Sequence, residues 1–160
     1  MSIAWTPRKP QPPERGAAAV GMLAELPAQD CAAILAFRKW CDGPSGRESV
    51  AQDIACTFPG TRAAQEVNAF ADLMGLMVSA PRRSIMRHDV ACACFGGDEA
   101  AFAHMIAAAV AGDREDAMAF ALILMQPNAA WQAVLMARGV GLCLLQMTRV
   151  TRAVNTPKIH

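Results

Sequence analysis

Thr61-Arg-Ala-Ala-Gln-Glu-Val-Asn-Ala-Phe-Ala-Asp-Leu-Met-Gly-Leu-Met-Val-Ser79 is the stretch whose reading decides the fold. Val67, Phe70, Ala71, Met74, Met77 and Val78 recur at three- and four-residue steps, while Arg62, Glu66 and Asp72 fall off that stripe. This is the period of a helix with one face in a core. Leu73 and Leu76 widen the apolar face, which predicts a central helix, capped by Thr61 and ended by Pro81.

The same period continues on both sides. Downstream, Gly97-Asp98-Glu99 opens a helix with Phe102, Met105, Ile106 and Ala109 inward, and Gly112 closes it. Asp113 caps the next, whose first turn carries Glu115 and Asp116 and whose body through Met125 is apolar all round. Such a helix is expected to be buried on several sides. Gln126-Pro127-Asn128 separates it from a last helix carrying Trp131, Val134, Leu135, Leu142 and Leu145. Gly139 and Gly141 either bend that helix or admit a close neighbour.

Upstream, Pro27 starts a helix to about Cys41 with Cys31, Ile34, Leu35, Phe37 and Trp40 as apolar positions, and Asp42-Gly43-Pro44 ends it. Ser45-x-x-Glu48 reads as a capping box. The helix it opens points Val50, Ile54 and Phe58 inward and stops at Pro59-Gly60. Residues 16–25 read as a short first helix. Residues 1–15, with Pro7, Pro10, Pro12 and Pro13, read as extended or disordered, and residues 155–160 as a flexible tail. The expected fold is therefore all-α: one compact orthogonal or bundle-like domain over residues 16–154, with about six helices around 62–79 and 113–126. No internal repeat and no alternating strand pattern appears.

Composition agrees. In 160 residues, 54% hydrophobic, there are ten methionines and no tyrosine, and aromatics make up 6%. This favours helix over strand. A net charge of +1 lacks the excess cation of a dedicated nucleic-acid binder. No Asp or Glu follows Asp116, whereas Arg138, Arg149, Arg152 and Lys158 do, so the carboxy-terminal end is basic. The apolar run at 16–24 is short and closed by Glu25, and the uncharged run 117–137 is broken by Pro127. The expectation is an unprocessed cytoplasmic protein without a membrane span, in which six cysteines stay reduced.

One internal segment breaks the helical pattern. Residues 81–97 contain Arg82, Arg83 and Arg87 and then His88-x3-Cys92-x-Cys94. Three soft donors within seven residues of an irregular loop point to a metal, zinc above all, whose bonds would offset the entropy of ordering the loop. Cys41 at a helix end, or His104 off the stripe of its own helix, would complete the shell. An iron–sulfur cluster fits less well, because it usually takes four thiolates. Two other readings stand beside the metal. In Val90-Ala91-Cys92-Ala93-Cys94-Phe95 the sulfurs could simply pack as small hydrophobes, or they could form a thiol-redox pair.

Cys31, Cys56 and Cys143 lie among apolar helical neighbours and read as core. Asp113, Glu115 and Asp116, like Asp98 and Glu99, are explained by capping and the helix dipole. Arg82, Arg83 and Arg87 could bind an anion or a partner's carboxylates. No phosphate loop, Gly-x-Ser-x-Gly or His-Glu-x-x-His is present. That points away from a stand-alone enzyme of a familiar class. The competing class is a helical adaptor or regulatory module, engaging a protein partner or a second copy of itself.

Overall fold

The computed structural model describes residues 16–155 and is all-α apart from one two-stranded ribbon. Six helices follow in chain order: α1 (Ala28–Cys41), α2 (Pro44–Ala55), α3 (Gly60–Ser79), α4 (Gly97–Ala111), α5 (Arg114–Leu124) and α6 (Pro127–Asn155). The expected segment 1–15 and, apart from Asn155, the expected tail 155–160 lie outside the described residues; Asn155 is the last residue of α6.

The centre of the bundle is α4, not α3 or α5. It packs on α1, α5 and α6, whereas α3 packs on α2 and α6. The reason is in its sequence. Phe102, Met105 and Ile106 are fully buried, and alanines at 101, 103 and 109 let three neighbours approach closely. Gly141 of α6 completes that approach, since a Cβ there would stand 2.3 Å from Val110 Cγ2 and 2.8 Å from Ile106 Cγ2. The ring of Phe37 meets that of Phe102 at 5.1 Å and joins α1 to the same core.

Several local expectations are corrected. Residues 16–25 do not form a helix. They make strand β1 (Ala19–Met22) and one 3-10 turn (Leu23–Glu25). β1 pairs antiparallel with β2 (Cys94–Gly96), inside the segment expected to be wholly irregular. A ribbon this short carries too few residues for period-two alternation to show. The Ser45–Glu48 capping box does not form, because α2 begins one residue earlier at Pro44, whose ring presets the first helical φ. Gly43 precedes it at φ 99°, a conformation that favours glycine. Likewise α3 begins at Gly60 and α6 at Pro127, so neither Thr61 nor Asn128 is a cap.

Two helices are less buried than their composition implies. In α5 only Ala117, Ala121 and Leu124 are buried, and Ile123 is exposed. In α6, Val134, Val140, Cys143 and Leu144 face the core, but Trp131, Leu135 and Leu142 face outward. Among the described residues α6 is the one helix long and apolar enough to cross a bilayer by length and composition. Its inner face packs on α3, α4 and α5.

Candidate functional site

A buried arginine organises the irregular segment. On α1 the inward positions are Asp30, Ala33, Ile34, Ala36, Phe37 and Arg38, so Arg38 lies one helical turn beyond Ile34 on the buried face. It is completely buried. Glu99 sits on α4 one turn before Phe102, on that helix's inward face, and is also completely buried. The two side chains meet at two points, Nε to Oε1 at 2.6 Å and Nη2 to Oε2 at 3.1 Å. The remaining guanidinium donors reach the loop, Nη1 to the Cys92 carbonyl at 2.7 Å and Nη2 to the Cys94 carbonyl at 2.5 Å.

The carbonyls leading into β2 alternate in direction. In an extended chain, alternate carbonyls share a side. Those of Cys92 and Cys94 turn to Arg38, while the Ala93 carbonyl turns the other way and accepts from Leu23 N at 2.8 Å.

Glu99 is saturated as well. Besides Arg38, it accepts from His88 N at 3.0 Å, His88 Nδ1 at 2.8 Å and Gly96 N at 2.8 Å. Burial alone would raise the Glu99 carboxyl, but the hydrogen bonds from Arg38, Gly96 and His88 outweigh it and hold the group below its usual range. Glu99 is therefore an ionised acceptor and His88 Nδ1 is the donor to it. Gly96 makes this close packing feasible. A Cβ there would stand 2.6 Å from the Gly16 carbonyl and 3.0 Å from His88 Cε1.

The neighbouring acid, Asp98, anchors the other half of the segment. It is buried and takes Arg83 at two points, 2.6 and 2.8 Å, together with Met86 N at 2.8 Å. Arg82 donates to the Leu122 carbonyl at 2.9 Å. Arg87 reaches the Cys41 carbonyl at 3.3 Å and Asp42 at 3.4 Å. Each arginine proposed for an external anion thus has a partner inside the chain, and together with Arg38 these guanidinium groups tie the segment to the helices. Among the described residues no buried side-chain nitrogen or oxygen lacks a hydrogen-bond partner.

Above this base lie the two cysteines. Cys92 and Cys94 are half-buried, their Sγ atoms 2.7 Å apart. The thiol of Cys92 is lowered, first by the hydrogen bond from Cys94, with a smaller contribution from the Arg38 cation. The thiol of Cys94 is raised by the same bond. Glu99 still opposes the Cys92 thiolate, but less than the Cys94 hydrogen bond and the Arg38 cation favour it.

The other candidate ligands lie apart. Cys41 ends α1 with its thiol raised by burial. His104 faces Asp30 at 3.7 Å and the Phe120 ring at 5.2 Å. Among the described residues no three His, Cys, Asp or Glu side chains converge as a metal-ligand set. Asp113 accepts from Asp116 N at 3.1 Å, the capping role expected of it.

Cys31, Cys56 and Cys143 line one cleft of about 770 Å³ between α1, α2, α3 and α6. Only Cys143 is buried. Cys56 is exposed, because α2 ends just before it, and Cys31 is half-buried.

Arg38 and Glu99 are the residues that sequence reasoning missed. The available signal was a charge on each helix's inward register, Arg38 four after Ile34 and Glu99 three before Phe102. No protein-family model matches this chain, and neither curated proteins nor solved structures give a match to it.

Proposed function

We propose that Cys92 and Cys94 form a thiol-redox pair that reduces disulfides or is oxidised by them. One observation carries this reading: two half-buried sulfurs 2.7 Å apart on a loop whose backbone is clamped at both cysteines by Arg38. The lowered thiol of Cys92 makes it the attacking group, since the thiolate is the nucleophile. Cys92 thiolate attacks one sulfur of a substrate disulfide, forming a mixed disulfide and releasing one substrate thiolate. Cys94 then gives its proton to solvent and attacks the Cys92 sulfur, which releases the second substrate thiolate and leaves a Cys92–Cys94 disulfide. Two electrons pass to the substrate, and a small-molecule thiol of the glutathione class returns them.

The test is trapping. Reduced protein with Cys94→Ser, mixed with glutathione disulfide, should accumulate a mixed disulfide at Cys92. The intact pair should instead proceed to an internal disulfide, 2 Da lighter by mass. Equal, slow labelling of all cysteines would overturn the proposal.

A second reading rests on the bond between His88 and Glu99. A metal-bound imidazole commonly donates its other ring nitrogen to a carboxylate, and Glu99 plays that part here, leaving Nε2 available. With Cys92 and Cys94 it offers one nitrogen and two sulfurs to zinc, after a local shift of the loop. Stoichiometric zinc in untagged protein, lost in Cys92→Ser/Cys94→Ser, would select this reading over the redox one.

A further inference from the structure

The outward face of α6 is largely bare within one chain, although the Arg114 guanidinium of α5 lies over the Trp131 ring, 4.9 Å from its centroid. Trp131, Leu135 and Leu142 are 53%, 58% and 49% exposed along one side of the helix. Between them lies Gly139, where an added Cβ would meet nothing within 4 Å, so the helix surface is bare at that point. Arg138 and Arg149 lie on the same side and form no ion pair among the described residues. The acid needed to answer them is in the chain itself. Glu115, exposed at the start of α5, lines the groove beside Trp131 and likewise has no ion-pair partner among the described residues.

We infer that this face of α6 is a self-association surface on which a second copy of the chain packs antiparallel, with the two-fold axis between Arg138 and Gly139. The spacing carries the register. Leu135 lies as far before that axis as Leu142 lies after it, so each leucine meets the other's counterpart. Trp131 comes level with the second copy's Gln146, and Gly139 receives the aliphatic stem of the second copy's Arg138, whose charged head turns outward. The basic end of each α6 then runs past the acidic start of the other α5, bringing the second copy's Arg149 within about one turn of Glu115. A parallel arrangement would instead stack basic end on basic end. An anionic bilayer would meet Glu115 and Asp116 on the approaching side, which disfavours it as the occupant. A two-fold axis also makes every contact occur twice, so modest charge pairs count double.

Sedimentation of the full chain should show a dimer. Leu135→Glu/Leu142→Glu should be monomeric with unchanged helicity, because both side chains are exposed. Glu115→Arg and Arg149→Glu should each weaken association, by roughly tenfold for two lost pairs, and the combined charge swap should restore it. A chain that stays monomeric, a dimer indifferent to the leucine changes, or a charge swap without recovery would each overturn the assignment. So would binding of the monomer to lipid vesicles that is abolished by the same leucine changes.

Discussion

Arg38 of α1 and Glu99 of α4 form a two-point ion pair with both side chains wholly out of solvent, and every remaining polar atom of the pair is bonded to the 88–96 segment. Desolvating two charges is costly, and a buried pair is tolerated when geometry is good and all donors and acceptors are satisfied. Here that condition is met, and the pair links the helical core to the cysteine loop.

Removing one partner should therefore be severe. Arg38→Met leaves Glu99 buried without its cation and frees the Cys92 and Cys94 carbonyls; a loss of about 3–5 kcal/mol is expected. Arg38→Lys should fall between the two, since an ammonium cannot reproduce the two-point fork and both carbonyl bonds together. The double replacement Arg38→Met/Glu99→Leu should cost clearly less than the sum of the single changes. Denaturant unfolding of the four proteins checks this, and simple additivity would contradict the coupling.

Acid should act at the same place. The Glu99 carboxyl lies below its ordinary range in the folded chain. Its contribution is therefore complete above the unfolded glutamate value of about 4.3 and is lost as pH falls from there through the lower folded value. Asp30 works the other way and at higher pH: burial raises it despite the nearby His104, so its penalty is relieved as pH falls through that raised value toward the unfolded one of about 3.9. Glu99→Gln isolates the effect. The stability difference between wild type and Glu99→Gln should shrink as pH drops below about 4.3. A constant difference would show that the charge on Glu99 is immaterial.

The helical class was legible because α1, α3, α4 and α6 each carry a long apolar period, and Phe70, Leu73, Met74 and Met77 are buried as that period requires. What stayed hidden is what depends on partners far along the chain. Arg38 and Glu99 lie 61 residues apart, and each alone resembles an ordinary helix charge. The cluster of His88, Cys92 and Cys94 was visible, but the arginines beside it could not be paired with Asp98, Leu122 and Asp42 from spacing. The centrality of α4 was hidden for a related reason. Its many alanines look unremarkable in sequence, yet small side chains are what three neighbours need in order to close on one helix.

Two glycines separate close packing from open surface. Gly141→Ala places a methyl into Val110 and Ile106 at the α4–α6 crossing, and such overpacking should cost roughly 1–3 kcal/mol. Gly75→Ala, on the exposed side of α3 with nothing within 4 Å, should instead stabilise by up to about 1 kcal/mol through helix propensity. Thermal or denaturant unfolding of both variants gives the comparison. A Gly141→Ala protein as stable as wild type would mean that the two helices are further apart than described.

The thiols should separate by reactivity and by their effect on stability at high pH. Cys92, lowered and half-exposed, should be alkylated first near neutral pH. Cys143, buried beside Glu66 with its thiol pushed up to about 12 by burial and then by that carboxylate, should react only on unfolding. A thiol raised in the folded state stays protonated while the unfolded chain ionises. Stability from Cys143 is therefore complete below the unfolded value of about 8.5 and declines as pH rises from there toward the folded one. Cys31 and Cys41, also raised by burial, add to the same decline. Cys143→Ala removes the alkaline contribution but also a buried sulfur, so its stability should be lower at neutral pH and fall less steeply above pH 8.5. Unfolding curves collected between about pH 7 and 10 decide it. Parallel pH profiles for the two proteins would show that Cys143 ionises as readily in the folded chain as in the unfolded one.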